Sequence, residues 1–303
     1  MHGIQPTYLE LLHEHTLQER AQQAHELMKD CVLCARFCRV NRYEKHGVCR
    51  TGAQARVASY GAHHGEEDPL RGWNGSGTIF FSSCNLQCQY CQNHAISQHQ
   101  RGQLFSAEDL AACMLTLQAS GCHNINFVSP SHVVAPILDA LVIAAKRGLR
   151  IPLVYNTGGY DSLEALRLLD GVIDIYMPDM KYSDSKIGLR LSKVKNYPQV
   201  NRIAVKEMHR QVGDLQMDER GIAMRGLLVR HLVLPNQQAG TAKIVRFLAQ
   251  EISPNTYVNI MAQYRPVYRA HEIPAINRAL EHREYQHALN LAQNAGLHRL
   301  DRR

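Results

Sequence analysis

From residue 77 onward the chain alternates short apolar runs with longer helix-like segments, and this alternation constrains the fold most. The short runs are apolar on both faces, as parallel strands covered by helices are. Predicted strands span 78–81, 125–128, 153–156, 173–177, 227–233 and 257–261, and predicted helices span 107–119, 133–147, 162–169, about 183–212, 241–252 and about 275–294. Six such units predict an α/β fold, a partial (β/α)6 TIM-like barrel, with its chemistry at the carboxyl ends of the strands.

Residues 1–76 have a different character. A helical pattern over 7–29 is followed by a cysteine-rich segment over 31–49 and a turn-rich stretch over 61–77. We therefore predict two parts: a helical and cysteine-rich extension over 1–76, and a partial barrel with a C-terminal helix over 77–303.

The first predicted strand leads straight into three cysteines, Cys84, Cys88 and Cys91, with Tyr90 before the last of them. Thiolates are soft ligands that suit iron–sulfur clusters or zinc. A structural zinc site is normally closed by four ligands, so the first alternative is a zinc site completed by His94. The second is a simple electron-transfer cluster. Three cysteines on a four-iron cube instead leave one iron open to the amino and carboxylate groups of a small molecule.

This C-x3-C-x2-C loop after the first strand resembles the hallmark of the radical S-adenosylmethionine (SAM) superfamily. The resemblance implies a [4Fe–4S] cluster on Cys84, Cys88 and Cys91 that cleaves SAM reductively to methionine and a 5′-deoxyadenosyl radical. It also implies an enzyme of oxidoreductase or lyase type, and an electron donor of the flavodoxin or ferredoxin type. The cofactor carries out the bond cleavage and forms the radical, while the protein orients the reactants and shields the radical.

Further matches over most of residues 77–265 resemble relatives of the pyruvate formate-lyase activating enzyme. Asn93 follows the third cysteine as an asparagine does in those enzymes. Asn156 begins Asn-Thr-Gly-Gly-Tyr, which is similar to their Asp-Thr-Asn-Gly-Phe turn at the end of the third strand. The resemblance implies that Tyr90, Asn93 and Asn156 lie in the cofactor site, and that Asn156 bonds a ribose or ammonium group.

The later strand ends continue this resemblance. Asp179 and Lys181 match an Asp-Leu-Lys run, Arg230 matches an arginine on the fifth strand, and Arg265 falls where those enzymes carry a histidine. The match implies that Lys181 pairs with the SAM carboxylate and that Asp179 orients the ribose or the lysine. A lone Asp or Lys at a strand end more often forms a structural ion pair, but one match per strand end favours a shared site.

The end of the second strand departs from the family. Radical SAM enzymes commonly carry Gly-Gly-Glu there to receive the SAM amino group, whereas this chain has Ser129 and Ser131 near that position. The amino group would bond backbone carbonyls near Ser129 or a hydroxyl. The alternative for Ser131 is a helix cap.

The extension carries four more cysteines in the pattern C-x2-C-x3-C-x10-C, and it resembles a branch of those relatives with an N-terminal four-cysteine segment. These residues are Cys31, Cys34, Cys38 and Cys49. In a reducing compartment, closely spaced cysteines more often bind metal than form disulfides. The pattern fits either zinc or a second iron–sulfur cluster. Arg36, Arg39 and Arg42 lie either beside this metal or on an ordinary exposed face.

The segment His63–Glu67 is predicted to be a solvated loop, with substrate contact as the alternative. Net charge is +7, with its cations scattered, which favours a solvated surface over nucleic-acid binding. Apolar runs are too short to span a bilayer. Because the N-terminal residues have no apolar signal core, we expect a cytoplasmic location.

The leading function is hydrogen abstraction by the 5′-deoxyadenosyl radical. Resemblance to the activating enzymes suggests a polypeptide substrate, in particular a glycine Cα. An alternative enzyme would modify a small molecule or RNA by the same radical. A different class is a non-catalytic binding module in which both cysteine groups hold zinc.

Overall fold

A computed structural model describes residues 5–301. Its strands are β1 Ala55–His63, β2 Ser76–Phe81, β3 Gln103–Phe105, β4 Ile125–Val128, β5 Leu153–Thr157, β6 Ile175–Pro178, β7 Gln216–Met217, β8 Ala223–Leu232 and β9 Tyr257–Met261. Its α-helices are α1 Tyr8–His13, α2 Thr16–Lys29, α3 Asp68–Arg71, α4 His94–Ser97, α5 Ala107–Ala119, α6 Val134–Lys146, α7 Leu163–Leu168, α8 Ser185–Ser192, α9 Tyr197–Val212, α10 Thr241–Phe247 and α11 His282–Asn294.

Six of these strands run parallel in the order β2, β4, β5, β6, β8 and β9. Within residues 5–301, β9 pairs with β8 and no pairing joins β9 to β2, so the barrel is open along one side. This arrangement confirms the predicted partial TIM-like fold. In the same part of the chain, no helix is long and apolar enough to cross a membrane.

The extension contributes a strand of its own to this sheet. β1 lies antiparallel to β2 and pairs with it from Val57 to His63, and β3 continues the sheet beyond β1. The sequence analysis does not predict β1 because most of its residues are exposed or half-buried. The division after residue 76 stays a prediction, and its outermost residues, 1–4 and 302–303, lie outside the described part of the chain.

Residues 63–72, which we call the seam segment, fold back against the barrel strands. It leaves β1, and Glu67 Oε1 then accepts a hydrogen bond of 2.9 Å from Asn259 on β9. Leu70 is fully buried in an apolar cluster with Val154 and Leu228 of the barrel strands. The seam segment thus bonds to β9 and places an apolar side chain among the barrel strands.

Two predicted helices are each broken in the structure. The predicted helix over 183–212 is the pair α8 and α9, because Lys193 and Asn196 adopt left-handed conformations (φ 56° and 51°). The pattern over 7–29 likewise divides into α1 and α2 at His15, whose φ is 63°. Residues other than glycine rarely adopt this conformation. The apolar periodicity of the sequence therefore does not reveal where the backbone interrupts these helices.

The C-terminal helix begins later than predicted. Its first residue is His282 rather than residue 275, and Pro274–Ile276 form a short 3-10 turn instead. Glu281 and Glu284 form a capping box at its start, satisfying amide groups that a helix leaves free at its N-terminus.

Candidate active site at the carboxyl ends of the strands

The three-cysteine loop is held in place by the end of α8. Ser83 turns the chain out of β2 with a left-handed φ of 71°. Gln87 then donates its backbone N–H to the Ser192 carbonyl (3.0 Å), and Gln89 donates to the Leu191 carbonyl (2.8 Å). These bonds fix the backbone on which the cysteines are carried.

Each of the three sulfurs has a hydrogen-bonding neighbour. The pairs are the Leu86 amide with Cys84 Sγ (3.4 Å), Ser192 Oγ with Cys88 Sγ (3.0 Å) and Ser97 Oγ with Cys91 Sγ (3.2 Å). Burial and then the neighbouring Cys88 raise the pKa of the Cys84 thiol to about 12, although the nearby Lys181 charge lowers it. A metal that displaces the thiol protons would therefore be the natural partner of this loop.

The zinc alternative does not match the geometry. His94 stacks on Tyr268 at 4.9 Å between ring centroids, and its Nδ1 lies 3.2 Å from the Cys91 carbonyl oxygen. Across residues 5–301, no three His, Cys, Asp or Glu side chains come together closely enough to hold one ion. A four-iron cube gives each thiolate its own iron, so three neighbouring thiolates need not converge on a point. The loop therefore fits a cluster.

Four predicted site residues from three strand ends form one hydrogen-bonded network. Arg230 Nη2 donates to Asn156 Oδ1 (2.7 Å) and its Nε donates to Asp179 Oδ1 (3.0 Å). Lys181 Nζ donates to the other oxygen of Asp179 (2.6 Å). Burial would raise the pKa of Asp179, but the Arg230 and Lys181 charges outweigh it and hold that pKa below its usual range. Asp179 is therefore an ionised carboxylate between two cations.

The two serines after β4 both form hydrogen bonds with β5. The Ser129 N–H donates to the Asn156 carbonyl (2.8 Å), and Ser131 Oγ lies 3.0 Å from Thr157 Oγ1. The residue that precedes α6, Val133, has no side-chain cap. The structure therefore does not show Ser131 capping this helix.

The remaining predicted site residues lie in different surroundings. Asn93 lines the cavity described below. Tyr90 is buried, and its hydroxyl lies 2.6 Å from that of Tyr182. Arg265 is exposed on the loop after β9 and is not among the cavity-lining residues.

A cavity of about 590 Å³ opens at this end of the barrel. Asn93, Asn156 and Arg230 line it from the barrel side, and the seam segment contributes Glu66 and Glu67. Another cavity, of about 650 Å³, lies between α10 and α11 and contains none of the predicted site residues. Of the predicted site residues, Asn93, Asn156 and Arg230 therefore line the first cavity, whereas Asp179, Lys181 and the three cysteines are not among its lining residues.

The prediction of a solvated loop over His63–Glu67 is wrong for its two carboxylates. Glu66 and Glu67 are 7% and 4% exposed, and Glu66 Oε2 lies 3.9 Å from Arg230 Nη1. Burial raises the pKa of Glu66 to about 7, against the lowering effect of the Arg230 charge. Adjacent glutamates in a turn-rich stretch are the only sequence signal, and nothing in it shows that this stretch folds back to β9.

Several solved structures resemble the chain at low identity. Streptococcus suis SuiB bound to its precursor peptide SuiA has a TM-score of 0.48 and 14% identity, covering 70% of this chain and 44% of SuiB. For methylornithine synthase the values are 0.47 and 15%, with coverage of 72% and 62%. The chain thus spans about half of these proteins' lengths.

The sequence comparisons are more specific. The family model for the radical SAM superfamily matches residues 78–248, from the first parallel strand to the end of α10. An uncharacterized protein of Methanocaldococcus jannaschii is 34% identical over 299 residues, covering 95% of this chain and 82% of that protein. The matched family residues include the three-cysteine loop and the Asn156–Arg230 network. The chain therefore belongs to the radical SAM superfamily, whose members use a [4Fe–4S] cluster and SAM.

Proposed function

We propose that the chain cleaves SAM reductively and abstracts hydrogen from a polypeptide substrate. One observation carries this proposal: the three-thiolate loop and the network of Asn156, Arg230, Asp179 and Lys181 lie at one end of the barrel, where Asn156 and Arg230 line the cavity. When bound at Cys84, Cys88 and Cys91, the cluster supplies the electron that breaks the S–C5′ bond of SAM.

Lys181 is the side chain best placed to hold the carboxylate of SAM. Its charge influences the pKa of both Cys84 and Cys88, so its ammonium group lies near the cluster loop. A charge-assisted bond from an ammonium to a carboxylate is about twice as strong as a neutral one. Asp179 fixes the lysine by their 2.6 Å contact, and Arg230 fixes Asp179 in turn.

The SAM amino group needs acceptors that this chain supplies without Gly-Gly-Glu. The Ser131 hydroxyl is already paired with Thr157. We therefore assign the amino group to backbone carbonyls near Ser129, where the left-handed turn (φ 60°) reshapes the end of β4.

The two glutamates that line the cavity, Glu66 and Glu67, favour an amide-bearing or cationic substrate. Glu66 and Glu67 accept hydrogen bonds, as backbone N–H groups of a polypeptide require. The same carboxylates disfavour a polyanion such as RNA, whose binding relies on cations. Resemblance to the activating enzymes suggests a glycine Cα as the hydrogen donor and a flavodoxin- or ferredoxin-type protein as the electron source.

The test is release of 5′-deoxyadenosine from SAM by anaerobically reconstituted protein with dithionite. We expect the wild type to release it and Cys88→Ala to lose the activity. Cys113→Ala, which removes a buried cysteine of α5, is the matched control and should retain it. Equal release by Cys88→Ala and wild type would refute the assignment.

Lys181→Met tests the carboxylate contact separately. Loss of a hydrogen bond to a charged group costs about 1.5–3 kcal/mol, so SAM should bind roughly 10- to 100-fold more weakly. Equilibrium binding of SAM to the reconstituted variant measures this, and unchanged affinity would exclude Lys181 from the site.

A further inference from the structure

The four cysteines of the extension lie together in the structure. None forms a disulfide, three are buried and Cys38 is half-buried. Backbone hydrogen bonds draw their loops together: the Arg39 N–H donates to the Cys31 carbonyl (3.1 Å), and the Phe37 N–H donates to the Cys34 carbonyl (3.1 Å). The Val48 N–H, next to Cys49, donates to Cys38 Sγ.

Their spacing is not that of a single-ion site. Thiolates around one zinc lie about 3.8 Å apart, because each Zn–S bond is about 2.3 Å and the geometry is tetrahedral. In the described chain no three such ligands come close enough to share an ion. The three-cysteine loop after β2, which belongs to the family's cluster motif, has the same property. A cube with a separate iron under each thiolate accounts for both groups.

A buried cation beside these cysteines also needs an anionic partner. Arg42 is 2% exposed, and its guanidinium donates to the backbone carbonyls of His132 (2.9 Å) and Gly52 (2.6 Å). No carboxylate of residues 5–301 forms an ion pair with it. Its Nη1 lies 3.9 Å from Cys31 Sγ. Because a buried charge is costly unless it is compensated, this arginine indicates a negatively charged group at the cysteines.

The surrounding backbone is shaped to approach the sulfurs closely. The Val48 N–H donates to Cys38 Sγ at 3.5 Å, and a side chain at Gly47 would come within 3.1 Å of the same sulfur. Hydrogen bonds to cluster sulfurs are one of the means by which proteins tune iron–sulfur sites. Glycine at position 47 therefore leaves room that any larger residue would take from the sulfur.

The cysteine group also lies directly against the catalytic loop. Arg36 Nε donates to the backbone carbonyl of Asn85, the residue after Cys84, at 2.7 Å. The Tyr160 carbonyl accepts both from the Ala35 N–H (3.4 Å) and from Asn85 Nδ2 (2.8 Å). The two loops thus share a hydrogen-bond acceptor. Arg39, in contrast, is exposed and paired with Asp30.

We propose that Cys31, Cys34, Cys38 and Cys49 hold a second iron–sulfur cluster, fully ligated by protein thiolates, beside the SAM-cleaving one. This site goes beyond the proposed function, since it does not depend on the substrate or on SAM cleavage.

The test is the iron and zinc content of three proteins after anaerobic reconstitution with iron and sulfide. Wild type should hold about eight iron atoms per chain, as two four-iron cubes require. A variant with Cys84, Cys88 and Cys91 replaced by Ala should retain about four, with a visible and paramagnetic cluster signal after reduction. A variant with Cys31 and Cys34 replaced by Ala should also fall to about four.

Two controls keep the outcome decisive. Replacement of Cys113 and Cys122 by Ala removes two buried cysteines elsewhere and should leave the iron content unchanged. Circular dichroism of the variant lacking Cys84, Cys88 and Cys91 establishes that it is folded. If that folded variant holds no iron, or holds one zinc per chain that iron and sulfide do not displace, the second cluster is refuted. SAM cleavage is not part of the readout, so failure of the proposed function would leave this result intact.

Discussion

At the residue scale, Asp179 is the electrostatic centre of the site. It is the only carboxylate that bonds both Lys181 and Arg230 in the described chain, and all three side chains are largely buried. Removing one member of a buried charge group leaves the others uncompensated, which costs about 3–5 kcal/mol. The same network therefore supports the fold and orients the groups that we assign to SAM.

We predict that Asp179→Asn lowers the free energy of unfolding by about 3–5 kcal/mol. The matched control is Glu251→Gln, which breaks an ion pair with Lys206 whose members are each about half exposed. An exposed pair contributes roughly 0–1 kcal/mol. Anaerobic urea unfolding followed by circular dichroism measures both, and equal losses would show that Asp179 is not buried between its cations.

Glu66 makes stability depend on pH. Burial raises its pKa from 4.5 to about 7, so between these values the folded chain keeps a proton that the unfolded chain has lost. Stability therefore falls as pH rises through this window. Each pKa unit is worth 1.36 kcal/mol. The free energy of unfolding of Glu66→Gln, relative to that of wild type, should therefore rise by about 3 kcal/mol between pH 4.5 and pH 7.

Unfolding free energies at several pH values test this, with exposed Glu19→Gln as the control for loss of one charge. A constant difference between Glu66→Gln and wild type from pH 4.5 to 7 would contradict the prediction.

The family resemblance indicated Asn156, Asp179, Lys181 and Arg230, which lie at or near the carboxyl ends of parallel strands, and parallel strands end at one edge of a sheet. Their hydrogen bonds confirm that these four meet. Glu66 could not be found in this way. Its position depends on the path of the seam segment from β1 to β9, which no local pattern records.

At the element scale, the seam segment is held by the barrel strands: Glu67 bonds to Asn259 on β9, and Leu70 packs among β5, β6 and β8. The strands that were predicted with correct bounds, β4 and β9, are apolar and largely buried. β1 has an exposed second half that includes Gly61, and it is a strand because β2 pairs with it. Tertiary contacts rather than propensity therefore define both β1 and the segment that follows it.

We predict that Leu70→Ala destabilises the fold by about 2–5 kcal/mol, the usual cost of a cavity in a core. Leu70 is fully buried inside the barrel, although it lies in the extension. Leu189→Ala on α8 is the control, since that leucine is 49% exposed. Denaturant midpoints compare the two, and a loss no larger for Leu70→Ala than for Leu189→Ala would mean that the seam segment does not pack among the barrel strands.

At the scale of the whole molecule, the extension and the barrel form one functional unit around the cluster loop. The extension supplies Glu66 and Glu67 to the cavity and Arg36 to the carbonyl of Asn85. α8 supplies Ser192 to the cysteine backbone. Because the loop is fixed from both sides, occupation of its site should stabilise the molecule as a whole.

The effect of SAM on thermal stability tests whether occupation of the site stabilises the whole molecule. A ligand that binds only the folded state at 100 times its Kd adds about 2.7 kcal/mol to stability, so SAM should raise the thermal midpoint of the cluster-loaded wild type. Adenosine lacks the amino and carboxylate groups that would reach the open iron, and it should raise the midpoint far less. The variant lacking Cys84, Cys88 and Cys91 should show no SAM-dependent rise, because its thiolates are gone while Lys181 and Arg230 remain. An equal rise in that variant would mean that SAM binds to the cationic network alone. It would contradict binding of SAM to an open iron of a cluster on the three thiolates.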